Sequence, residues 1–552
     1  MVAAMKITPH KHLFNGDCNY LFSGDRHFPP IAPEPKHPAQ WLHDHIDLIA
    51  DSGIDTYLIN AGGQMPWYPS KVVPNFRYKR GDREFFRGHY PKPDGVDFTE
   101  EMLEKHIDRM ARIIDRYLDL EEAGINWVAE LAKACRRRGI SPWVTVRMND
   151  GHGGNNWDTS FMNCALQKDP KYRLSGRRLN PKDGVAYEWQ LLDYKHREVR
   201  DYYFTMIKEL IEDYDFDGLE LDWLRSAFCL EPTASQENID TMTDWFAEIR
   251  ALCRARAQKT GKPYYMGLRM PPRLGLLKAI GIDVKEMARR DVIDFVAVGN
   301  FWQANWDIPF DALHADLGEN VSVLGNMDSA PNWLSVGPNE HITSFRLLPQ
   351  CAPLLRGNAA NKLALGADGL EYFNFFACGN DPENEKAYYA ALNGLADLEN
   401  LRGKPKQYAL STIYGWWGPP VFEHAEQIPA TLEPEWRKAF RISMCAEPTD
   451  KNLKLTIQVI VEKKENLPDL GVSFNGSWPK FEFTPTTDLL FPVWKYNRVH
   501  SDHIALNYAF DVGLIKEGWN EIILYNENHN RAMPEERAAN SVHVASIELS
   551  VA

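Results

Sequence analysis

Short apolar segments alternate with amphipathic segments through the first 400 residues of the chain. In the amphipathic segments apolar residues recur three and four positions apart, the period of a helix with one buried face. Strands that alternate with helices are typical of a parallel sheet with helices outside it. Eight segments are predicted to be strands: residues 13–22, 55–61, 142–149, 218–223, 264–270, 294–301, 321–327 and 369–376.

Helices are predicted between these strands, over residues 41–53, 99–138 and 196–214. Eight strands with helical connections in about 390 residues favour the α/β fold of a (β/α)8 TIM barrel with long loops. A doubly wound open sheet is the alternative. The sequence argues against it, because no glycine-rich phosphate-binding turn follows a strand.

From about residue 405 the pattern changes to short alternating strands separated by turn residues, which predicts an antiparallel β-sandwich. A chain of 552 residues also exceeds the size of one hydrophobic core. We therefore expect a barrel over residues 1–404 and a β-sandwich accessory domain over residues 405–552. The strands predicted in the second domain are residues 453–462, 471–476, 503–512, 520–526 and 543–552.

The charge of the chain limits its partners. A formal net charge of −14 argues against nucleic acid or an anionic membrane as the main partner, because both attract basic surfaces. No run of about 18 apolar residues predicts a transmembrane helix. The N-terminal residues lack the apolar run of a signal peptide. A cytoplasmic location is therefore expected, or a secreted or periplasmic one if a signal peptide has been removed.

The eight cysteines are scattered and show neither a CxxC pair nor zinc-ligand spacing. They are therefore expected to be small buried side chains. Asp150 and His152 lie two positions apart without a clear third ligand, so no metal and no other cofactor is predicted.

The candidate site lies at the carboxyl ends of the predicted strands, where barrel enzymes carry their catalytic residues. Glu220 and Asp222 share one face of the fourth strand and are expected to point into the barrel. Two acids are costly to bury unless they are paired or hydrogen-bonded. Asp150 follows the third strand and Glu371 lies in the eighth. The candidate catalytic residues are therefore Asp222, Glu220, Asp150 and Glu371.

Other polar and aromatic residues near the strand ends suit a polyhydroxylated ligand. The arginines among them either offset the acids or bind an acidic group of the substrate. Residues 62–98 form a long loop rich in aromatic and basic residues, and a loop of this length is often functional. The candidate substrate-binding residues are Arg147, Asn149, His152, Arg225, Arg269, Asn300, Trp302, Asp328 and Trp67.

Three motifs carry a resemblance to a known group of proteins: RMNDGH at 147–152, FDGLELDWLR at 216–225 and GADGLEYFNFF at 366–376. Together they resemble bacterial glycosyl-hydrolase-like barrels grouped near the family 10-like hydrolases, over roughly residues 10–400. The second motif is also similar to the family 18 chitinase signature DGxDxDxE. Glu220 and Asp222 fall on its last two aspartates, but Leu224 stands at the catalytic glutamate. The resemblance therefore does not carry the chitinase mechanism with it.

These observations predict a glycoside hydrolase that cleaves an oligo- or polysaccharide through paired carboxylates. The ring of polar strand ends and the long loop favour an exo-acting enzyme with a pocket, and the arginines leave an acidic sugar open as substrate. Asp222 is expected to be the nucleophile or base. The alternatives are a non-catalytic carbohydrate-binding barrel, which Leu224 favours, and a lyase or metal-dependent barrel enzyme.

Overall fold

The first part of the chain forms a closed barrel of eight parallel strands in the computed structural model. The structure describes residues 8–17, 22, 39–75, 78–90, 98–153, 156, 158–174, 191–224, 226–231, 234–300, 304–327, 335–337, 340–341, 352–373, 375, 382–411, 427–479, 482–493, 496–528 and 539–552. The barrel strands are β1 (His12–Gly16), β2 (Thr56–Asn60), β3 (Ser141–Arg147), β4 (Gly218–Asp222), β5 (Tyr265–Met270), β6 (Phe295–Val298), β7 (Ser322–Met327) and β8 (Gly369–Phe373). All eight predicted strands are confirmed, with somewhat different bounds, and so is the (β/α)8 fold.

The register of the strands brings the candidate residues to one level. Arg147 of β3 pairs with Asp222 of β4, which pairs in turn with Arg269 of β5. On the other side of the barrel Asn15 of β1 pairs with Phe373 of β8. Because parallel strands end at the same rim, these residues line the carboxyl end of the barrel.

The helix predicted over residues 99–138 is wrong as a single element. It is two helices, because Gly124 adopts a positive φ of 72° after the first and the Asn126 side chain accepts a hydrogen bond from the backbone N–H of Ala129 at the start of the second. The predicted helices near residues 41–53 and 196–214 are confirmed. The helices of the described residues are Gln40–Ala50, Glu84–Arg87, Glu100–Glu122, Trp127–Arg137, Ala165–Lys168, Arg197–Asp213, Gln236–Thr260, Leu274–Ala279, Val284–Arg289, Phe310–Leu317, Ala352–Leu363, Pro382–Ala390 and Leu398–Leu401.

The basic residues of the long loop after β2 are bound to a neighbouring helix. Arg83 and Arg87 both form ion pairs with Glu104, and Arg80 forms one with Asp119. These acids lie on the helix Glu100–Glu122. The three arginines therefore anchor the loop to the outside of the barrel and do not point into the site.

The second part of the chain forms antiparallel sheets packed as a β-sandwich, as predicted. A three-stranded sheet consists of Arg437–Met444, Gly518–Asn526 and Leu470–Phe474 in that order. The larger sheet contains Lys406–Ser411, Ala430–Leu432, Lys454–Glu462, Thr484–Thr486, His503–Asp511 and Val542–Val551. The first of these strands begins at Lys406, and the boundary between residues 404 and 405 stays a prediction.

Polar contacts join the two parts. The Asn361 amide Nδ2 donates to the carbonyl oxygens of Trp306 and Ser443, over 2.9 and 2.8 Å. The Trp519 indole N–H donates to Asp311 on the barrel helix Phe310–Leu317. One side of the sandwich therefore lies against the barrel near β6 and β7.

Two further expectations are tested by the described residues. Their five cysteines are buried and form no disulfides, as predicted for small core side chains: Cys135, Cys164, Cys229, Cys253 and Cys445. None of the helices that the structure describes is long and apolar enough to span a bilayer.

Candidate active site

Asp222 and Arg269 form a fully buried ion pair at the carboxyl end of the barrel. Arg269 Nη1 lies 3.2 and 3.3 Å from the two carboxylate oxygens of Asp222. The backbone N–H of Leu224 also donates to Asp222, over 3.0 Å. The guanidinium carbon of Arg269 lies 3.6 Å from the centroid of the Phe373 ring, over which the guanidinium packs. Asp222 is therefore held by two direct partners, Arg269 and the Leu224 N–H, and Phe373 packs on the first of them.

A pair of glutamates lies one level below Asp222. The Asn15 amide Nδ2 donates to Oε1 of Glu220 over 2.8 Å and to Oε1 of Glu371 over 3.0 Å. The Thr145 hydroxyl also donates to Oε1 of Glu220, over 2.7 Å. Both glutamates have no exposed surface. One amide group therefore holds the two carboxyl groups side by side at the floor of the site.

Burial and the neighbouring acid together shift the pKa values of these two glutamates. Burial, then the charge of Glu371 and a hydrogen bond with it, raises the pKa of Glu220 well above its ordinary value. Burial also raises the pKa of Glu371, against the opposing effect of the Arg269 charge. Oε2 of each glutamate accepts no hydrogen bond from another described residue. A hydrogen bond between the two carboxyl groups requires a proton on one of them, and the raised pKa of Glu220 favours that residue as the donor.

A second network runs along the rim from β1 to the loop after β3. Arg147 Nη2 lies 2.6 Å from Asp17 Oδ2, and Arg147 Nη1 lies 3.6 Å from Asp150 Oδ2. The other oxygen of Asp150 bonds the imidazole Nδ1 of His152 in a short contact. The Gln64 side chain donates to the Asp150 carbonyl. Asp150 is therefore fixed between a guanidinium and an imidazole.

Close packing holds this Asp–His pair in place. A Cβ atom on Gly63 would lie 2.8 Å from Asp150 Cβ, so glycine is needed where the loop after β2 passes the carboxylate. The His152 side chain is 31% exposed, more than that of Asp17, Arg147, Asp150, Asp222 or Arg269. His152 is thus the most accessible ionisable side chain of this group.

His89 lies close to this pair and comes from the long loop after β2. Burial, followed by the charge of His152, lowers the pKa of His89 to about 4. Its Nδ1 is within 2.8 Å of the Ser160 hydroxyl. The long loop therefore reaches the rim beside His152.

The remaining sequence candidates have different surroundings. Asn149 bonds the backbones of Leu192 and Phe228 through both ends of its amide, so its contacts hold loops together. Trp67 is packed in the hydrophobic core. Asn300 is nearly buried beyond β6, and its Nδ2 donates to no other described residue. The candidates Arg225, Trp302 and Asp328 lie outside the described residues.

Several residues of the site were not among the sequence candidates. Asn15 and Asp17 come from the first strand and the position after it, and Phe373 comes from β8. The period of two was a usable signal for the first pair, because positions 15 and 17 share one face. Phe373 reads as an ordinary core residue in sequence, and only its stacking on Arg269 distinguishes it. Across the described ranges, no three His, Cys, Asp or Glu side chains are grouped as metal ligands.

Comparisons with known proteins show similarity in structure alone. No protein family model matches the chain, and no curated protein matches it. A similar solved structure is the PgaB (BpsB) glycoside hydrolase domain from Bordetella bronchiseptica, 11% identical, with a TM-score of 0.39 over 71% of this chain and 99% of that one. Another is alpha-L-fucosidase isoenzyme 2 from Paenibacillus thiaminolyticus, 11% identical, with a TM-score of 0.38 over 71% of this chain and 49% of that one. A third is a beta-N-acetylhexosaminidase, 14% identical, with a TM-score of 0.34 over 71% of this chain and 74% of that one. Kinship with the family 10-like hydrolases or family 18 chitinases therefore remains a resemblance of motifs.

Proposed function

We propose that the chain is a glycoside hydrolase whose reacting carboxylate is Asp222. The observation that carries the proposal is that two ionisable side chains at one barrel rim, Asp222 and His152, are each oriented by a partner of their own. Arg269 holds Asp222, and Asp150 holds His152. Hydrolysis of a glycosidic bond needs one group that either attacks the anomeric carbon or activates a water molecule, and a second group that protonates the leaving oxygen.

The contacts favour a division of roles. Asp222 is oriented by Arg269 and the Leu224 N–H, which suits a nucleophile or a base. His152 is oriented through Nδ1 by Asp150 and is the more accessible of the two, which suits a proton donor to the leaving group. Glu220 and Glu371 share their Oε1 atoms with Asn15 below this level. We propose that these two glutamates form the floor of the site and set its electrostatic potential, and that neither of them is the nucleophile.

The same contacts bear on the substrate. The loop after β2 bounds the site beside Asp150 and His152, which supports a closed pocket and an exo-acting enzyme. Arg147 and Arg269 are paired with aspartates, so an acidic group on the substrate would have to displace a carboxylate. We therefore favour a neutral sugar at the reacting position. The Nδ2 of Asn300 donates to no other described residue just beyond β6, which supports a role as hydrogen-bond donor to a sugar hydroxyl.

The experiment is a reducing-sugar release assay with the purified full chain against neutral, uronic-acid and sulfated oligo- and polysaccharides. Asp222→Asn keeps the shape of the side chain and removes its charge, so we expect release to fall by a factor of at least about 1,000. Asp294→Asn is the matched control. Asp294 pairs with Arg250 at the opposite end of the barrel, where substitution should affect stability and spare the rate of the folded protein.

The outcomes separate the candidate functions. Release by the wild type and by Asp294→Asn, but not by Asp222→Asn, supports the proposal. Full activity of Asp222→Asn rejects the assignment of that residue. Saturable glycan binding without release across the whole panel favours the alternative of a carbohydrate-binding barrel. An unsaturated product that absorbs in the near ultraviolet favours a lyase.

A further inference from the structure

The outer face of the three-stranded sheet carries an exposed tryptophan whose ring packs on a tyrosine in a tilted arrangement. Trp478 is 57% exposed, and its ring centroid lies 5.0 Å from that of Tyr525 at an interplanar angle of 35°. Tyr525 belongs to the central strand Gly518–Asn526, on whose outer face Ile523 is also only partly buried. One side of the Trp478 indole thus packs on the sheet, and the other side is open to solvent.

A glycine makes this packing possible. Gly471 pairs with Tyr525 across the sheet, and a Cβ atom at residue 471 would lie 3.2 Å from Trp478 Cζ3 and 2.5 Å from a Glu527 carboxylate oxygen. Any larger side chain would lift the indole away from the backbone. The position of Trp478 therefore depends on close approach of its ring to Gly471.

A rigid turn presents Trp478. Phe474 and Ser477 exchange backbone hydrogen bonds of 2.9 and 3.0 Å. Between them Asn475 and Gly476 adopt positive φ values of 49° and 81°, as a tight hairpin turn requires. The Asn475 amide also donates to the Leu514 carbonyl over 2.8 Å. The ring is therefore held in place before any partner binds, which lowers the entropic cost of binding.

The surroundings of the ring indicate the class of partner. Glu527 lies beside it, and the exposed Arg437 pairs with Tyr525 across the sheet. Nucleic acid would need a basic groove along with the rings, and this chain carries a net charge of −14. A protein partner would need roughly 800 Å² of contact, whereas one indole and one phenol bury only about 150–250 Å² each.

A pyranose ring matches this surface better than either alternative. It has a flat face of C–H groups that stacks on an indole, and hydroxyls at its edge that bond charged neighbours such as Glu527 and Arg437. We propose that Trp478 and Tyr525 form a binding platform for one ring of a neutral polysaccharide. The platform is distinct from the barrel site and does not depend on the proposed reaction.

The geometry also relates the platform to the barrel. Trp519 lies on the same strand as Tyr525 and donates to Asp311 of a barrel helix. The two residues are six positions apart along an extended strand, a distance of about 20 Å. A polysaccharide chain on the platform is therefore held near the barrel without occupying its site.

The test is native gel electrophoresis of the full chain through gels that contain hydroxyethyl cellulose, glucomannan or xyloglucan, together with pull-down on cellulose and chitin. We expect the wild type to be retarded or captured by at least one of these. Trp478→Ala should bind about tenfold more weakly, as loss of one stacked ring predicts. Gly471→Ala should also weaken binding, although the tryptophan is still present. Trp436→Ala is the matched control, since Trp436 is also 57% exposed.

The outcomes are decisive for the platform. Retardation that is lost in Trp478→Ala and kept in Trp436→Ala supports the proposal. Equal binding by the wild type and Trp478→Ala overturns it, as does absence of binding to every polysaccharide tested. A change in oligomeric state on size-exclusion chromatography for Trp478→Ala, with unchanged retardation, also overturns it in favour of a self-association surface. Release of sugar from short oligosaccharides should not change in any of these variants.

Discussion

Replacing Glu220 by glutamine tests whether the floor of the site holds a shared proton. Glutamine can keep the hydrogen bonds that Oε1 of Glu220 accepts from Asn15 and Thr145. Its amide N–H can donate to the Glu371 carboxylate, as a protonated Glu220 carboxyl group would in the wild type. The variant therefore supplies a permanent donor and removes the need to bind a proton.

The sign and size of the effect follow from proton binding. A glutamate in the unfolded chain has a pKa of about 4.3, whereas burial and the neighbouring acid raise the pKa of Glu220 in the fold. At pH values between these two pKa values the folded wild type binds more protons than the unfolded chain, so its free energy of unfolding falls as pH rises. One extra bound proton corresponds to about 1.4 kcal/mol for each pH unit that separates the two pKa values. Glu220→Gln should lose most of this dependence and be the more stable protein at pH 8.

The assay is the denaturant midpoint of barrel unfolding, followed by tryptophan fluorescence at pH 5, 6, 7 and 8. Glu209→Gln is the control, because Glu209 is a buried acid that accepts hydrogen bonds from Tyr68, Ser70 and the Lys71 N–H. That variant should be less stable than the wild type at pH 7. The NH2 group of glutamine cannot accept the hydrogen bonds that one carboxylate oxygen of Glu209 accepts, so at least one of these donors is left unpaired. Parallel pH profiles for the wild type and Glu220→Gln would refute the shared proton.

Two further substitutions probe the ion pair and the proton donor. Arg269→Met should lower the free energy of unfolding by about 3–5 kcal/mol at pH 7, because it leaves buried carboxylates without their cation. The loss should be smaller at pH 5, and an unchanged thermal midpoint at pH 7 would contradict the buried pair. His152→Gln should slow release from phenyl glycosides of the preferred sugar by about 100-fold or more, yet slow release from 2,4-dinitrophenyl glycosides much less, because that leaving group needs no proton. Initial rates on the two substrates check this, and an equal loss on both would remove His152 from the role of donor.

Local pattern was sufficient to predict most of the architecture. The period of two in the strands and the helical spacing between them depend on residues close in the chain, and so all eight barrel strands were placed. The same period placed Glu220 and Asp222 on one inward face. The position of a single turn was harder to predict, because the break near Gly124 depends on one residue with positive φ inside a strongly helical pattern.

The pairing of the candidate residues could not be predicted in the same way. Residues 222 and 269 are separated by 47 positions, and residues 15 and 371 by 356. Which acid meets which cation depends on barrel closure and strand register, to which distant parts of the chain contribute. Likewise, Asn149 and Trp67 carry the right side chains for a sugar site, but their neighbours in space hold loops and core together.

The sequence by itself determined the fold class, the β-sandwich that follows the barrel and the strand ends where polar residues collect, because each of these follows from local hydrophobic period and turn chemistry. Only the tertiary structure decided that Arg269 holds Asp222, that Asn15 joins Glu220 to Glu371, and that Asp150 orients His152. The reason is physical: a buried charge takes its role from the partners that barrel closure brings within hydrogen-bond distance, and those partners are not its neighbours along the chain.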